Sequence, residues 1–152
     1  MSNVKIPYSN ALVTGASSGI GEAICYALDN CGIDRITLVA RNEERLQAVA
    51  ARLECATDII VADLTCPADL ERVAAALSDI DLLINNAGVV NTSYHETSEG
   101  IENTFAINHL GYFLFTNLLL HKLKGENETR IVNVSSAAHS FVKKMQWEDI
   151  NF

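Results

Sequence analysis

The chain has 152 residues, of which 49% are hydrophobic and 20% charged. That is the balance of one globular domain, not of a disordered segment, and the length is short for two domains. A formal net charge of −8 speaks against a nucleic-acid-binding surface and against an anionic membrane as partner. The opening stretch MSNVKIPYSNALVTG has no long apolar run, so neither a signal peptide nor a membrane anchor is expected. Residues 10–16 (NALVTGA) are apolar and end around a glycine, which predicts a buried strand. Residues 21–32 have helical spacing, with Ile24 and Leu28 one turn apart and Gly32 as the stop. Residues 35–41 (RITLVAR) predict a second strand. Residues 42–54 predict an amphipathic helix with Leu46, Val49 and Leu53 on one stripe. A third strand is expected over 58–64, and Pro67 opens a helix over 67–77, where its missing N–H costs nothing. A fourth strand over 81–88, a long helix over roughly 98–123 and a fifth strand over 130–136 complete the series.

Apolar strands separated by helices imply a parallel sheet covered on both faces. Right-handed crossovers then give an α/β, doubly wound, Rossmann-type sheet of about five strands. The whole of 1–152 reads as a single domain, incomplete at its C-terminal edge, with 137–152 as a loose tail anchored by Trp147 and Phe152. Cys25, Cys31, Cys55 and Cys66 form no CxxC pair, and His95, His109, His121 and His139 lack ligand spacing, so no metal site is expected. Four reduced thiols suit a cytoplasmic protein. The Asn-x-Ser/Thr matches at Asn91, Asn127 and Asn133 are taken as chance.

The first strand runs into TGASSGIG (14–21), with glycines at 15, 19 and 21. Gly15 permits a tight turn, Gly19 lets backbone approach a pyrophosphate, and Gly21 lets helix and strand pack closely. The helix that follows offers free N–H groups to an anion. A purely structural turn is the alternative. At the end of the second strand, Arg41 followed by Asn42 stands where an acidic residue would hydrogen-bond the ribose of NAD. A guanidinium there suits a 2′-phosphate, favouring NADP with NAD as the alternative. Arg41 as a merely solvated strand end is the competing reading.

These motifs occur together in an order that resembles the short-chain dehydrogenase/reductases: TGASSGIG, then NNAG at 85–88, then NHLGYFLFTNLLL at 108–120 and RIVNVSS at 130–136. The last two, with WEDINF at 147–152, resemble most the branch with retinol dehydrogenases and related carbonyl reductases. The resemblance covers the chain from about residue 9 onward and implies an NAD(P)-dependent oxidoreductase interconverting an alcohol and a carbonyl. It implies cofactor contacts from Gly15, Ser17, Ser18, Gly19, Ile20 and Gly21, from Arg41 and Asn42, from Asp63 and Leu64 at the adenine, and from Asn86, Ala87 and Gly88. Ser18 holds a position that is often basic in the family. Asp63 also reads as a helix-start acid.

Carbonyl reduction needs a close hydride, a proton for the oxygen and donors for the developing alkoxide. By resemblance Ser136 is the catalytic serine that bonds the substrate oxygen, and Asn108 is the helix asparagine supporting a proton path. An ordinary strand-end serine and a satisfied core amide are the alternatives. The family's Tyr-x-x-x-Lys acid/base pair does not occur at Tyr8, Tyr26, Tyr94 or Tyr112. The expectation is therefore a chain truncated before that pair, holding the cofactor-binding part and showing little turnover by itself. A non-catalytic nucleotide-binding or dimerising regulatory protein is the second reading. The implied partners are a small carbonyl or alcohol and a second copy of the chain, with self-association or poor solubility expected from apolar residues such as Phe113 and Leu114.

Overall fold

Strands of consecutive apolar residues need cover on both faces. The computed structural model, which describes residues 5–124, 128–141, 143–144 and 147–148, provides it with a five-stranded parallel sheet in the order β3-β2-β1-β4-β5. The strands are β1 (Asn10–Thr14), β2 (Arg35–Ala40), β3 (Ala56–Val61), β4 (Leu82–Asn85) and β5 (Arg130–Asn133). Helices α1 (Gly19–Asn30), α2 (Glu43–Ala50) and α3 (Pro67–Ala76) link the first four. Between β4 and β5 runs one helix in three parts: α4 (Asn103–Phe105), a π-helical segment (Ala106–Gly111) and α5 (Tyr112–Leu119). A 3-10 turn, Ala137–Phe141, follows β5.

Side chains alternate across each strand, and two core layers result. Ala11, Val13, Ile36, Leu38, Leu82 and Ile84 meet Cys25 of α1 and Leu46 and Val49 of α2. Leu12, Val39 and Leu83 face the other way, onto Leu70 and Val73 of α3 and Phe115 and Leu119 of α5. Complete burial of side chains such as Leu38 and Leu83 contributes roughly 1.5–3 kcal/mol each. Two buried or half-buried carboxylates fix the chain entries to the sheet. Asp81 accepts the Ser9 and Asn10 N–H groups at 2.7 and 2.9 Å, setting the start of β1 beside β4. Asp29 accepts from the N–H groups of Glu54 and Cys55, with 2.8 Å to Cys55, and holds the approach to β3. Burial opposes ionisation of Asp29, but these backbone donors outweigh it and keep the carboxyl below its ordinary range.

Element order and parallel pairing follow the sequence reading, while several boundaries and burials do not. The third strand is not 58–64 but Ala56–Val61, because its register with β2 runs from Arg35↔Ala56 to Ala40↔Val61. Beyond it the Asp63 N–H turns aside to Asp69 Oδ2 at 2.7 Å. The first strand stops at Thr14 because Gly15 takes φ +66°. The second helix ends at Ala50, so Leu53 lies beyond it. The long helix starts at Asn103, not near 98, since Thr97 and Gly100 build a turn and Glu102 caps the helix. β3 and β5 are sheet edges rather than buried strands, and β5 is exposed along its length, Asn133 included. Trp147 is 79% exposed rather than packed as an anchor among the described residues, and Phe152 and Asn127 lie outside them.

Candidate functional site

From β1 the chain winds outward through β2 to β3, then returns to place β4 and β5 on the other side of β1. Loops leaving the C-terminal ends of β1 and β4 therefore diverge, and an open α/β sheet offers its ligand crevice at that point. A cleft of about 600 Å3 lies there. Gly15, Ser17, Ser18 and Ile20 form its wall after β1, and Ala40, Arg41, Asn42 and Arg45 the wall after β2. Residues 62–65 close it after β3, and residues 86–89 with Ile107 after β4. A second groove of about 710 Å3, lined by Lys5, Tyr26, Asp29, Arg52 and neighbours, is larger. It gathers none of the loops at the C-terminal strand ends, and on that ground the smaller cleft is the functional candidate.

Three glycines shape the cleft floor for three reasons. Gly15 has φ +66°, and a Cβ there would stand 2.8 Å from Asn86 Nδ2. Its N–H bonds the Val39 carbonyl at 2.8 Å, tying the loop to β2. A Cβ on Gly21 would overlap the Gly15 carbonyl oxygen and lie 2.6 Å from Asn86 Nδ2, so α1 packs directly on the turn. Gly19 has φ +60° and would meet nothing within 4 Å, which leaves its backbone open to a ligand. Ser18, the residue before α1, makes no side-chain capping bond, so the first-turn N–H groups of α1 remain available to an anion. The backbone is thus a cradle that side chains would fill, and it fits a pyrophosphate.

Thr14 locks this loop to the NNAG stretch. Its buried hydroxyl donates to the Ile84 carbonyl at 3.2 Å and accepts the N–H groups of Asn86 and Ala87 at 2.8 and 2.9 Å. Asn86 Nδ2 returns a bond to the Thr14 carbonyl at 2.9 Å. Asn85 faces away, donating through Nδ2 to Thr116 Oγ1 and Asn133 Oδ1 and so joining β4, α5 and β5. At the third wall, Asp63 Oδ1 accepts the Thr65 N–H at 3.0 Å. The acid at the start of α3 is Asp69, which takes the Asp63 N–H and the Arg72 guanidinium. Those two partners hold its carboxyl below the ordinary range.

Asn108 sits in the π-helical segment and does not line the cleft. Its Oδ1 accepts the Val89 N–H at 2.9 Å and its Nδ2 donates to the Val89 carbonyl at 2.8 Å. It is a satisfied amide that grips the strand extension behind Gly88. Ser136 also lies outside the cleft lining, three residues beyond β5. Val134 N–H bonds the Asn85 carbonyl at 2.8 Å, and the Ser136 hydroxyl accepts the Ala138 N–H at 3.1 Å, opening the 3-10 turn. The structure therefore gathers Gly15, Ser17, Ser18, Ile20, Arg41, Asn42, Asp63, Leu64, Asn86, Ala87 and Gly88 in one cleft. Gly19 and Gly21 stand in the backbone beside and behind it.

Sequence reasoning passed over Thr14, Arg45, Thr65, Val89 and Ile107. Arg45 carried a signal, since it follows Arg41 by four residues, at the start of the next predicted helix. Thr14 needed the β1–β4 pairing to acquire its role. The cysteines stand apart from this chemistry: burial pushes the Cys25 thiol up to about 12 and the Cys55 thiol up to about 11, so neither is a thiolate near neutral pH. Among the described residues no group of three His, Cys, Asp or Glu side chains could hold a metal ion, and no helix is long and apolar enough to cross a membrane.

The sequence pattern of the family described as short chain dehydrogenase matches residues 9–147. Retinol dehydrogenase 13 of Homo sapiens is 36% identical over 160 residues, covering 99% of this chain and 48% of that protein. Retinol dehydrogenase 11 of Mus musculus is 38% identical over 148 residues, covering 91% of this chain and 46% of that protein. Among solved structures, a short-chain dehydrogenase from Sphingobium yanoikuyae in complex with NADPH has a TM-score of 0.71 at 33% identity, over 85% of this chain and 54% of that one. One from Burkholderia cenocepacia J2315 in complex with NADP has a TM-score of 0.74 at 31% identity, over 90% of this chain and 58% of that one. The chain spans about half the length of the curated relatives it matches.

Proposed function

The chain belongs to the short-chain dehydrogenase family, and from that premise we propose that it is the cofactor-binding part of an NADP-dependent oxidoreductase interconverting an alcohol and a carbonyl. The observation that carries this reading is the cleft at the switch point, where the glycine turn, Arg41, Asp63 and the NNAG stretch converge. Bound there, the nicotinamide would supply or take the hydride. The chain's own residues do the holding: the first turn of α1 receives the pyrophosphate, and the Asp63–Leu64 wall flanks the adenine. Asn86, Ala87 and Gly88 border the inner ribose. Arg41 followed by Asn42, where an acidic residue would bind the ribose of NAD, supports NADP over NAD. Ser136, by its place beyond β5, is assigned to the substrate oxygen, and Asn108 to holding Val89 in the cleft wall.

The curated relatives' printed name, retinol dehydrogenase, supports the retinol/retinal pair as the substrate class, with a steroid or another carbonyl as the alternative. Free thiols at Cys25, Cys31, Cys55 and Cys66 support a cytoplasmic location; recovery of the native protein with membranes would overturn it. Apolar side chains exposed on α5 support association of two or more copies.

Isothermal titration tests the nucleotide reading. NADPH is expected to bind more tightly than NADH, and equal affinities would remove the NADP preference. The 152 residues by themselves are expected to turn over slowly, because none of their tyrosines is followed by Lys at the fourth position. Positioned acid–base catalysis contributes ~10²–10⁴-fold. NADPH oxidation with retinal at the rate of a full-length relative would sink that expectation.

A further inference from the structure

We infer that Arg45, on the first turn of α2, is a second 2′-phosphate-binding residue that works with Arg41 to select NADP. The inference rests on the nucleotide reading above and deepens it. Two arginines and one acid, Asp63, are the charged residues lining the cleft. Arg41 stands at the mouth of β2, and Arg45 stands across from Ser17 and Ser18, with which it lines both the cleft and a smaller adjoining depression. The serines offer hydroxyl groups but no charge, so on that side of the cleft the cation must come from α2.

The geometry of α2 delivers it. Asn42 caps the helix, its Oδ1 accepting the Arg45 N–H at 2.9 Å, which fixes the turn that carries the side chain. Neither Arg41 nor Arg45 enters an ion pair among the described residues. Arg52, two turns further on, is already engaged: it lies 3.6 Å from Glu22 Oε1 and 4.7 Å over the Tyr26 ring. A dianionic 2′-phosphate placed between Arg41 and Arg45 would receive planar donors from two directions. The ribose of NADH, with a hydroxyl in that place, would gain little from the second guanidinium.

The test is titration of the full 152-residue chain with NADPH, NADH and adenosine 2′,5′-bisphosphate. Arg45→Gln is expected to weaken NADPH and the bisphosphate by about ten- to a hundredfold, the range of a lost charge-assisted bond. NADH affinity is expected to change by less than about twofold, on the same reasoning. Arg45→Lys is expected to restore part of the loss. Arg52→Gln, which removes the same charge elsewhere on α2's neighbourhood, is expected to change neither. Equal weakening of NADPH and NADH by Arg45→Gln would mean a structural role, and no weakening of either would mean none; both results overturn the inference. Absence of any dinucleotide binding by the parent chain would instead overturn the nucleotide reading on which it rests.

Discussion

At the scale of single residues, the three glycines of the first turn separate two costs that are usually confounded. Gly21 has ordinary helical backbone, yet any side chain there collides with the Gly15 carbonyl. Gly19 has open space around it and a positive φ of 60°, so a side chain there meets only the left-handed backbone penalty. Gly21→Ala forces α1 away from the turn, and overpacking of this kind costs about 1–3 kcal/mol. Gly19→Ala is expected to cost ~1–2 kcal/mol without moving α1. Denaturant unfolding measures both, and in NADPH titration Gly21→Ala is expected to lose binding even where it remains folded. If Gly21→Ala keeps its stability and its affinity, the close packing of turn on helix is not needed. These roles were legible in TGASSGIG because they depend on residues a few positions apart. Arg45 was not legible in that way. Its importance arises only once α2 has folded back beside Ser17 and Ser18.

The helix between β4 and β5 shows the limit of periodicity as a guide to elements. Apolar spacing predicted one long helix, and it gives no hint that six residues, Ala106–Gly111, wind as a π-helix. Such segments often mark functional positions, and this one carries Asn108. The start of the helix was misplaced for a similar reason. Glu102 caps Thr104 and Phe105 through both carboxylate oxygens, at 2.8 and 2.7 Å, and the apolar pattern does not register that cap. Strand composition likewise announces burial but not position in the sheet. The apolar residues of β3 and β5 predict buried strands, yet the places of these strands at the sheet edges leave β3 only partly covered and β5 exposed along its length. Asn108 binds the Val89 backbone through both of its amide atoms, as a neighbouring strand would. Asn108→Ala leaves the Val89 N–H and carbonyl without those partners, at a cost of ~1–3 kcal/mol. Faster amide exchange at Val89, with the β1 and β2 amides unchanged, is the expected signature. Unaltered protection at Val89 would show that the π-helical segment is held in place by packing alone.

Across the whole molecule, apolar side chains are distributed unevenly between the faces. Phe115 and Leu119 of α5 are buried against α3 and the sheet, while Phe113 is 67% exposed and Leu120, just beyond the helix, 55%. Leu114 is also exposed, and so are Ile131 and Val132 on the edge strand β5. An amphipathic helix covering one core should present polar residues outward; here its outer side offers an aromatic ring and leucines to solvent. Exposed apolar clusters and unpaired strand edges both favour association. The net charge of −8 opposes it through self-repulsion, which salt screens within about 10 Å at 0.1 M. Sedimentation of the chain is therefore expected to show association that rises with protein concentration and with salt. Phe113→Ser is expected to reduce it while leaving thermal stability nearly unchanged, because the ring makes little of the core. A chain that stays monomeric at high concentration and high salt would contradict the argument. So would a Phe113→Ser variant that associates as strongly as the parent, since the apolar face of α5 would then have no part in the contact.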